Sequence, residues 1–208
     1  MIAHAIQDTH ALNSRRLIND LFELRARVFS DRLAWNVNVQ DGRETDDYDR
    51  LDPTFILTIT DEGTLAGSAR LLPAVGPTML EHTFPQLLAA GRLDACSGMV
   101  ESSRFCVDTS LAEGRAAGSL HEATLTMFAG IIEWSMANGY DEIVTATDLR
   151  FERILNRAGW PMRRLGEPCR IGNTVAVAGS LSADAKSFNK VCPMGYRSAI
   201  TSCRQCAA

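Results

Sequence analysis

The stretch Val100-Glu-Ser-Ser-Arg-Phe-Cys-Val-Asp108 carries a carboxylate, Glu101, and a guanidinium, Arg104, in a segment that otherwise reads as a core strand. Burying either charge without a partner is costly, so the two are either paired, functional, or on a surface edge strand. Strict alternation sends Met99, Glu101, Ser103, Phe105 and Val107 to one face and Val100, Ser102, Arg104 and Cys106 to the other. Three further islands suit the same chemistry. Arg25, Phe29 and Trp35 offer a guanidinium for a carboxylate and aromatic faces for a cation or a flat ring. Asp46 and Asp49 offer negative charge for a sulfonium or an ammonium, and Arg70 is suited to hold those carboxylates. Glu101 then accepts a proton, directly or through a water. Taken singly, each island has a plainer reading as a solvated helix residue, an aromatic pair over the core, or a charged loop.

The elements that must position these groups follow from pattern. Ile2 to Ile6 reads as a short strand, and Leu17, Leu21, Leu24 and Val28 recur at helical spacing within Leu12 to Ser30. Asp31 to Pro53 shows no periodicity and holds the acidic run DGRETDDYDRLD, a long loop of the kind that is usually functional. Thr54 to Thr60 and Thr64 to Leu72 form a hairpin around Asp61-Glu-Gly63, with a short helix expected over Thr83 to Ala90. Ser119-Leu-His-Glu122 reads as a capping box opening a helix that ends near Gly139. Asp141 to Thr147 is a strand, Asp148 caps a further helix, and Met162 to Leu165 and Ile171 to Leu181 are strands. The whole is an α/β domain with a mixed, mostly antiparallel sheet flanked by helices, over residues 1–181, followed by an extension of uncertain structure over 182–208.

Composition narrows the classes. At 208 residues with 46% hydrophobic and 22% charged residues, the chain suits one globular domain, and its net charge of −4 argues against nucleic acid. No secretory signal or membrane span is apparent, which predicts a cytoplasmic protein whose cysteines, Cys96, Cys106, Cys169, Cys192, Cys203 and Cys206, are buried thiols. Cys203-x-x-Cys206 lacks a second pair, so no metal site is expected.

The spacing of the islands closely resembles the LuxI family of acyl-homoserine lactone synthases. The likeness runs through Arg25-x-x-x-Phe29, Trp35, Glu44-x-Asp46-x-Tyr48-Asp49, Gly67-Ser-Ala-Arg70-Leu-Leu-Pro73, Gly76-Pro77-x-Met79-Leu80, Phe84-Pro85 and Glu101-x-Ser103-Arg104-Phe105. The runs GMVESSRFCVDTS, FAGIIEWSMANGY and EIVTATDLRFERIL are similar to the TraI-type synthases of rhizobia and agrobacteria. The resemblance implies a fold like that of the GCN5-related N-acetyltransferases, S-adenosylmethionine as the amine substrate, acyl-acyl carrier protein as the donor and methylthioadenosine as a product, with no cofactor. It implies S-adenosylmethionine binding by Arg25, Phe29, Trp35, Asp46, Asp49 and Arg70, and catalysis around Glu101, Ser103, Arg104 and Phe105. The oxyanion of such a reaction needs aimed donors, which the backbone N–H groups of Arg104 and Phe105 supply if the strand bulges there. A bulge also solves the problem of Glu101 and Arg104 facing opposite ways.

The second substrate has its own expected footprint. Arg150, Arg153 and Arg157 share one helix face, and with Arg163 and Arg164 they form a basic patch suited to an acidic carrier protein. Met79, Leu125, Met127, Phe128, Val144 and Thr145 are candidates to line the acyl pocket, and a hydroxyl at Thr145 or Thr147 suits a medium-length 3-oxo chain. The competing readings are an acyl-CoA-dependent synthase and a general N-acetyltransferase, whose pyrophosphate loop Arg115-Ala-Ala-Gly118-Ser-Leu120 would match only in part. A non-catalytic relative that binds the same molecules as a sensor or scaffold is a further alternative, disfavoured because Glu101, Asp46 and Asp49 are all intact.

Overall fold

The computed structural model describes residues 1–8, 11–12, 14–111 and 121–200. In chain order its elements are β1 (Ile2–Ile6), α1 (Arg15–Arg25), β2 (Val39–Gln40), β3 (Arg43–Glu44), β4 (Thr54–Ile59), β5 (Leu65–Pro73), α2 (Met79–His82), β6 (Met99–Val107), α3 (Glu122–Ala137), β7 (Glu142–Asp148), α4 (Leu149–Arg157), β8 (Arg163–Arg164), β9 (Cys169–Ile171), β10 (Thr174–Ser182), α5 (Ala185–Val191) and β11 (Arg197–Ser198). The main sheet runs β11-β1-β4-β5-β6-β7-β10-β8, with β9 also on β10. Pairing is antiparallel except between β1 and β11 and between β6 and β7. This is the mixed, mostly antiparallel sheet that the residue pattern predicts.

Helix α3 is apolar on nearly every side because it lies between the sheet and α5. At Gly130 a Cβ would stand 3.1 Å from the Ala3 Cβ and 3.2 Å from the Ile56 Cγ2, so the glycine sets how closely helix and sheet approach. Phe128, Ile131 and Trp134 of α3 join Ile56, Leu71, Val100, Val107 and Ile143 in one core layer. The opposite face carries α1, whose Leu21 and Leu24 pack with Phe55, Leu57 and Cys106.

Several local expectations change. The α-helix ends at Arg25 and continues as a π-helical segment over Ala26–Arg32, a departure typical of functional sites. The expected loop from Asp31 to Pro53 instead contains the β2–β3 hairpin and a 3-10 turn over Asp47–Arg50. The helix expected over Thr83 to Ala90 lies earlier, at α2, because Thr78 caps it by accepting from the Glu81 N–H (3.2 Å). Only a 3-10 turn remains at Pro85–Leu87. Gly172, at φ 58°, turns the last expected strand into the β9–β10 hairpin. The described part of the expected extension, residues 182–200, belongs to the fold: α5 packs on α3, and β11 pairs with β1. Ser119, the loop Arg115–Leu120, Cys203 and Cys206 lie outside the described residues, and α3 is capped by His121, which accepts from the Ala123 N–H (3.1 Å). Among the described cysteines Cys106 is buried, Cys96 is exposed and Cys169 and Cys192 lie between, so burial does not explain them as a class. No helix among the described residues is long and apolar enough to cross a membrane.

Candidate functional site

The site is built on a bulge. Strand β6 pairs with β5 at Ser103↔Arg70 and Cys106↔Ser68, so Arg104 and Phe105 together oppose the single residue Ala69. Arg104 takes φ 53°, a left-handed conformation that costs a non-glycine residue about 1 kcal/mol or more. The consequence is a change of parity. Glu101, Ser103, Arg104 and Cys106 now share the α1 face, while Ser102, Phe105 and Val107 face α3. Relative to Glu101, strict alternation therefore fails from the bulge onward, for Arg104, Phe105, Cys106 and Val107.

Three guanidiniums and three carboxylates interlock on the α1 face. Arg25, at the end of α1, donates from Nε to Glu44 (2.5 Å) and from both terminal nitrogens to Asp49 (2.8 and 3.0 Å). Arg70, on β5, donates to both oxygens of Asp46, to Asp49 Oδ1 (2.7 Å) and to the Ser103 hydroxyl (3.1 Å). Arg104 reaches Glu44 Oε1 (3.1 Å) and Asp46 Oδ2 (2.8 Å). Each guanidinium also stands over an aromatic ring: Arg25 over Phe22, Arg70 over Tyr48 and Arg104 over Phe29, at 5.3, 5.4 and 5.6 Å. The 3-10 turn fixes the acidic side, since the Asp46 carboxylate accepts from the Tyr48 N–H (2.9 Å) while the Asp46 N–H donates to Asp49 (2.8 Å).

Burial would raise the Asp49 carboxyl, but the Arg25 guanidinium beside it, with Arg70, holds it below the ordinary carboxylate range. Arg25 is buried too, and Asp49 and Glu44 hold its proton more firmly than usual. Arg104 is shifted down, first by burial. Arg25, a ligand-binding candidate by sequence, instead spends its guanidinium on Glu44 and Asp49, and its side chain is 1% exposed. Arg70 holds both aspartates as expected. Glu44, fully buried, is the residue that sequence reasoning omitted from the site; its two-residue spacing from Asp46 in an extended run was the available signal.

Glu101 lies next to this network and is 1% exposed. Its two oxygens accept from the Met79 N–H (3.0 Å) and the Leu80 N–H (2.6 Å), tying β6 to the start of α2. Burial raises its pKa above the ordinary value, against the pull of those two N–H groups. Each oxygen keeps a further lone pair. Met79, expected in the acyl pocket, instead puts its sulfur 3.0 Å from Arg70 Nη2 and 3.4 Å from Arg104 Nη1, on the α1 side. Phe29 and Trp35 stack on each other at 5.3 Å and 7°, beside Arg104.

Beyond Glu101↔Val144, β6 and β7 no longer pair: β6 continues along β5 alone and β7 along β10. In this fork, on the α3 side, lies a cavity of about 20 Å³ lined by Ser102, Phe105, Phe128, Thr145, Phe151 and Trp160, among others. Phe128 and Thr145, two of the acyl-pocket candidates, are among the residues that line this cavity. Val144 does not, because its neighbour Thr145 takes that face and Val144 packs with Leu80 and Leu87 on the other. Met127 is core, its Cγ 3.1 Å from where a Cβ on Gly67 would stand, and Leu125 packs at the core's margin.

Arg150, Arg153, Arg157, Arg163 and Arg164 are all exposed, and Arg170, which sequence reasoning did not include, is exposed on neighbouring β9. Arg163 pairs with Glu142 (2.8 Å) and Arg164 grips Glu152 with two bonds of 2.8 Å. Such surface pairs add little stability and leave a predominantly basic face.

Comparison with known proteins bears on what this arrangement does. Residues 9–191 match the family model for autoinducer synthases. An acyl-homoserine-lactone synthase of Rhizobium radiobacter is 67% identical over 183 residues, covering 88% of this chain and 86% of the relative. The crystal structure of TofI in a ternary complex with an inhibitor and MTA superposes with a TM-score of 0.77 at 26% identity, covering 92% of this chain and 96% of that one. A structure of BjaI, a CoA-dependent acyl-homoserine lactone synthase, with SAM and isopentyl-CoA shares the fold at a TM-score of 0.80 and 22% identity, over 91% of this chain and 86% of that one.

Proposed function

Since the chain belongs to the autoinducer synthase family and is an acyltransferase, an acyl-homoserine-lactone synthase, we propose that it joins S-adenosylmethionine to a medium-length 3-oxo-acyl group carried on acyl carrier protein. The carrying observation is the Arg25–Arg70–Arg104 network with Glu44, Asp46 and Asp49, lying beside the Phe29–Trp35 stack and next to the β6–β7 fork. Counting Glu101, its four carboxylates outnumber its three guanidiniums, which suits a substrate bearing both an ammonium and a sulfonium.

In this reading the substrate ammonium loses a proton to Glu101 through a water, and the freed amine attacks the thioester carbonyl. Backbone N–H groups at the bulge of Arg104 and Phe105 face the oxyanion. The C–N bond forms as the C–S bond breaks, and the carrier thiol leaves with a proton. The substrate's own carboxylate oxygen then attacks the carbon bonded to sulfonium, closing the lactone as methylthioadenosine departs. Phe29, Trp35 and Asp46 hold the folded substrate, and no cofactor takes part. Thr145 supplies a hydroxyl to the 3-oxo group; among the described residues that hydroxyl meets only the Ala146 carbonyl, at 3.5 Å, a contact too long to occupy it. The arginine face of α4 docks the acidic carrier protein.

A CoA-linked donor is the second reading, favoured by the fold shared with CoA-dependent BjaI. Incubation with S-adenosylmethionine and matched panels of acyl-carrier proteins and acyl-CoAs, followed by mass spectrometry, separates the two. Acyl-homoserine lactone and methylthioadenosine formed from carrier protein alone support the proposal. Product from CoA alone transfers it to the second reading, and acylation of another amine without lactone refutes both.

A further inference from the structure

The guanidiniums of the network are not held alike. Arg25 and Arg70 are 1% and 0% exposed, whereas Arg104 keeps 13% of its side chain exposed and its partner Asp46 keeps 17%. What a ligand meets at the edge of the network is therefore one guanidinium and one carboxylate, already joined at 2.8 Å, with the Phe29–Trp35 stack alongside. A cation arriving at Asp46 must displace Arg104. An anion arriving at Arg104 must draw it from Asp46. A ligand with an ammonium and a carboxylate on one carbon does both together.

We propose that the Arg104–Asp46 pair is a latch that reads the α-amino acid end of the acceptor: the ligand ammonium replaces Arg104 on Asp46, and the released guanidinium closes on the ligand carboxylate. This rests on the reading of S-adenosylmethionine as the acceptor. The anchoring of the two partners decides which one moves. Asp46 is also gripped by both terminal nitrogens of Arg70 and by the Tyr48 N–H, so it stays. Arg104 is left with Glu44, which keeps Arg25 without it, and with a sulfur contact at 3.4 Å. Burial and the nearby Arg25 and Arg70 guanidiniums already disfavour the Arg104 charge. The exchange trades one ion pair for two with no net change in charge from the amino acid end. A simple amine would instead leave Arg104 short of a carboxylate, so the latch discriminates against it.

Calorimetric titration without acyl donor tests this, using S-adenosylmethionine and its decarboxylated form against wild type, Arg104→Gln and Arg104→Lys. Wild type should bind the decarboxylated ligand roughly 10- to 100-fold more weakly, the loss of a charge-assisted pair. In Arg104→Gln that gap should shrink to roughly twofold, within the scatter of independent effects. The decarboxylated ligand should also bind Arg104→Gln more tightly than wild type, because nothing has to leave Asp46. Arg104→Lys, which keeps the charge, should retain part of the gap and serves if the glutamine variant melts early. An unchanged gap in a folded variant, or weaker binding of the decarboxylated ligand to Arg104→Gln, overturns the latch while leaving the substrate reading intact. Failure of wild type to bind S-adenosylmethionine overturns both.

Discussion

Replacing Asp49 by asparagine keeps the shape of the network and removes one charge from its centre. Oδ1 accepts from Arg25 (2.8 Å) and Arg70 (2.7 Å), and Oδ2 from Arg25 (3.0 Å) and the Asp46 N–H (2.8 Å). Whichever oxygen becomes the amide nitrogen, it turns donors toward a guanidinium that is already a donor. The guanidiniums of Arg25, Arg70 and Arg104 then face two carboxylates, Glu44 and Asp46, where they had three. Removing one partner of a buried pair costs about 3–5 kcal/mol, a large part of the roughly 5–15 kcal/mol that holds a domain. Urea unfolding followed by circular dichroism at neutral pH should show that loss. The pH dependence has a definite sign. The folded Asp49 carboxyl lies below its ordinary 3.8, so its contribution is complete above that value and is lost as pH falls through the folded pKa. The gap between wild type and variant should therefore hold from neutral pH down to the ordinary carboxylate range and narrow below it. A loss under about 1 kcal/mol, or a gap that persists unchanged at pH below the folded value, would refute the view that this network is held by charge.

Glu101→Gln should lower kcat by about 100-fold or more if Glu101 takes the proton. In wild type the acid limb of the pH–rate profile should lie above the ordinary 4.5, activity falling as pH drops through the raised pKa, and the limb should vanish in the variant. Thr145→Val keeps the shape of the cavity wall but removes its hydroxyl, and should cut the kcat/KM preference for 3-oxo over unsubstituted donors about tenfold in a competition assay read by mass spectrometry. Arg150→Glu with Arg153→Glu should raise KM for the carrier-protein donor and flatten its salt dependence, with kcat at saturating donor unchanged within about twofold; equal effects on a CoA donor would argue against protein docking.

Much of this was readable from the chain. Helical spacing around Leu21 and Leu24 located α1, and Asp61-Glu-Gly63 located the β4–β5 hairpin, because local turn chemistry and burial period act over a few residues. The charges at Glu101, Arg70 and Arg104 stood out for the same reason, as exceptions in apolar strands. What escaped were features set by distant partners. The two-residue strand β11 has no periodicity of its own to read and forms by pairing with β1, at the far edge of the sheet. By type Met79 suits an apolar pocket, yet α2 begins one turn earlier than the pattern predicts and points the Met79 sulfur at two arginines.

The amino-acid sequence by itself determined which groups are available: the guanidiniums of Arg25, Arg70 and Arg104, the carboxylates of Glu44, Asp46, Asp49 and Glu101, and the apolar pattern that makes a mixed sheet between helices. Tertiary structure decided which of them meet. The extra residue in β6 at Arg104 shifts the side-chain alternation by one, placing Arg104 with Glu101 and sending Phe105 to the cavity. That shift is invisible in a period-2 pattern, because it arises from the register of β6 against β5 rather than from any residue's own preference.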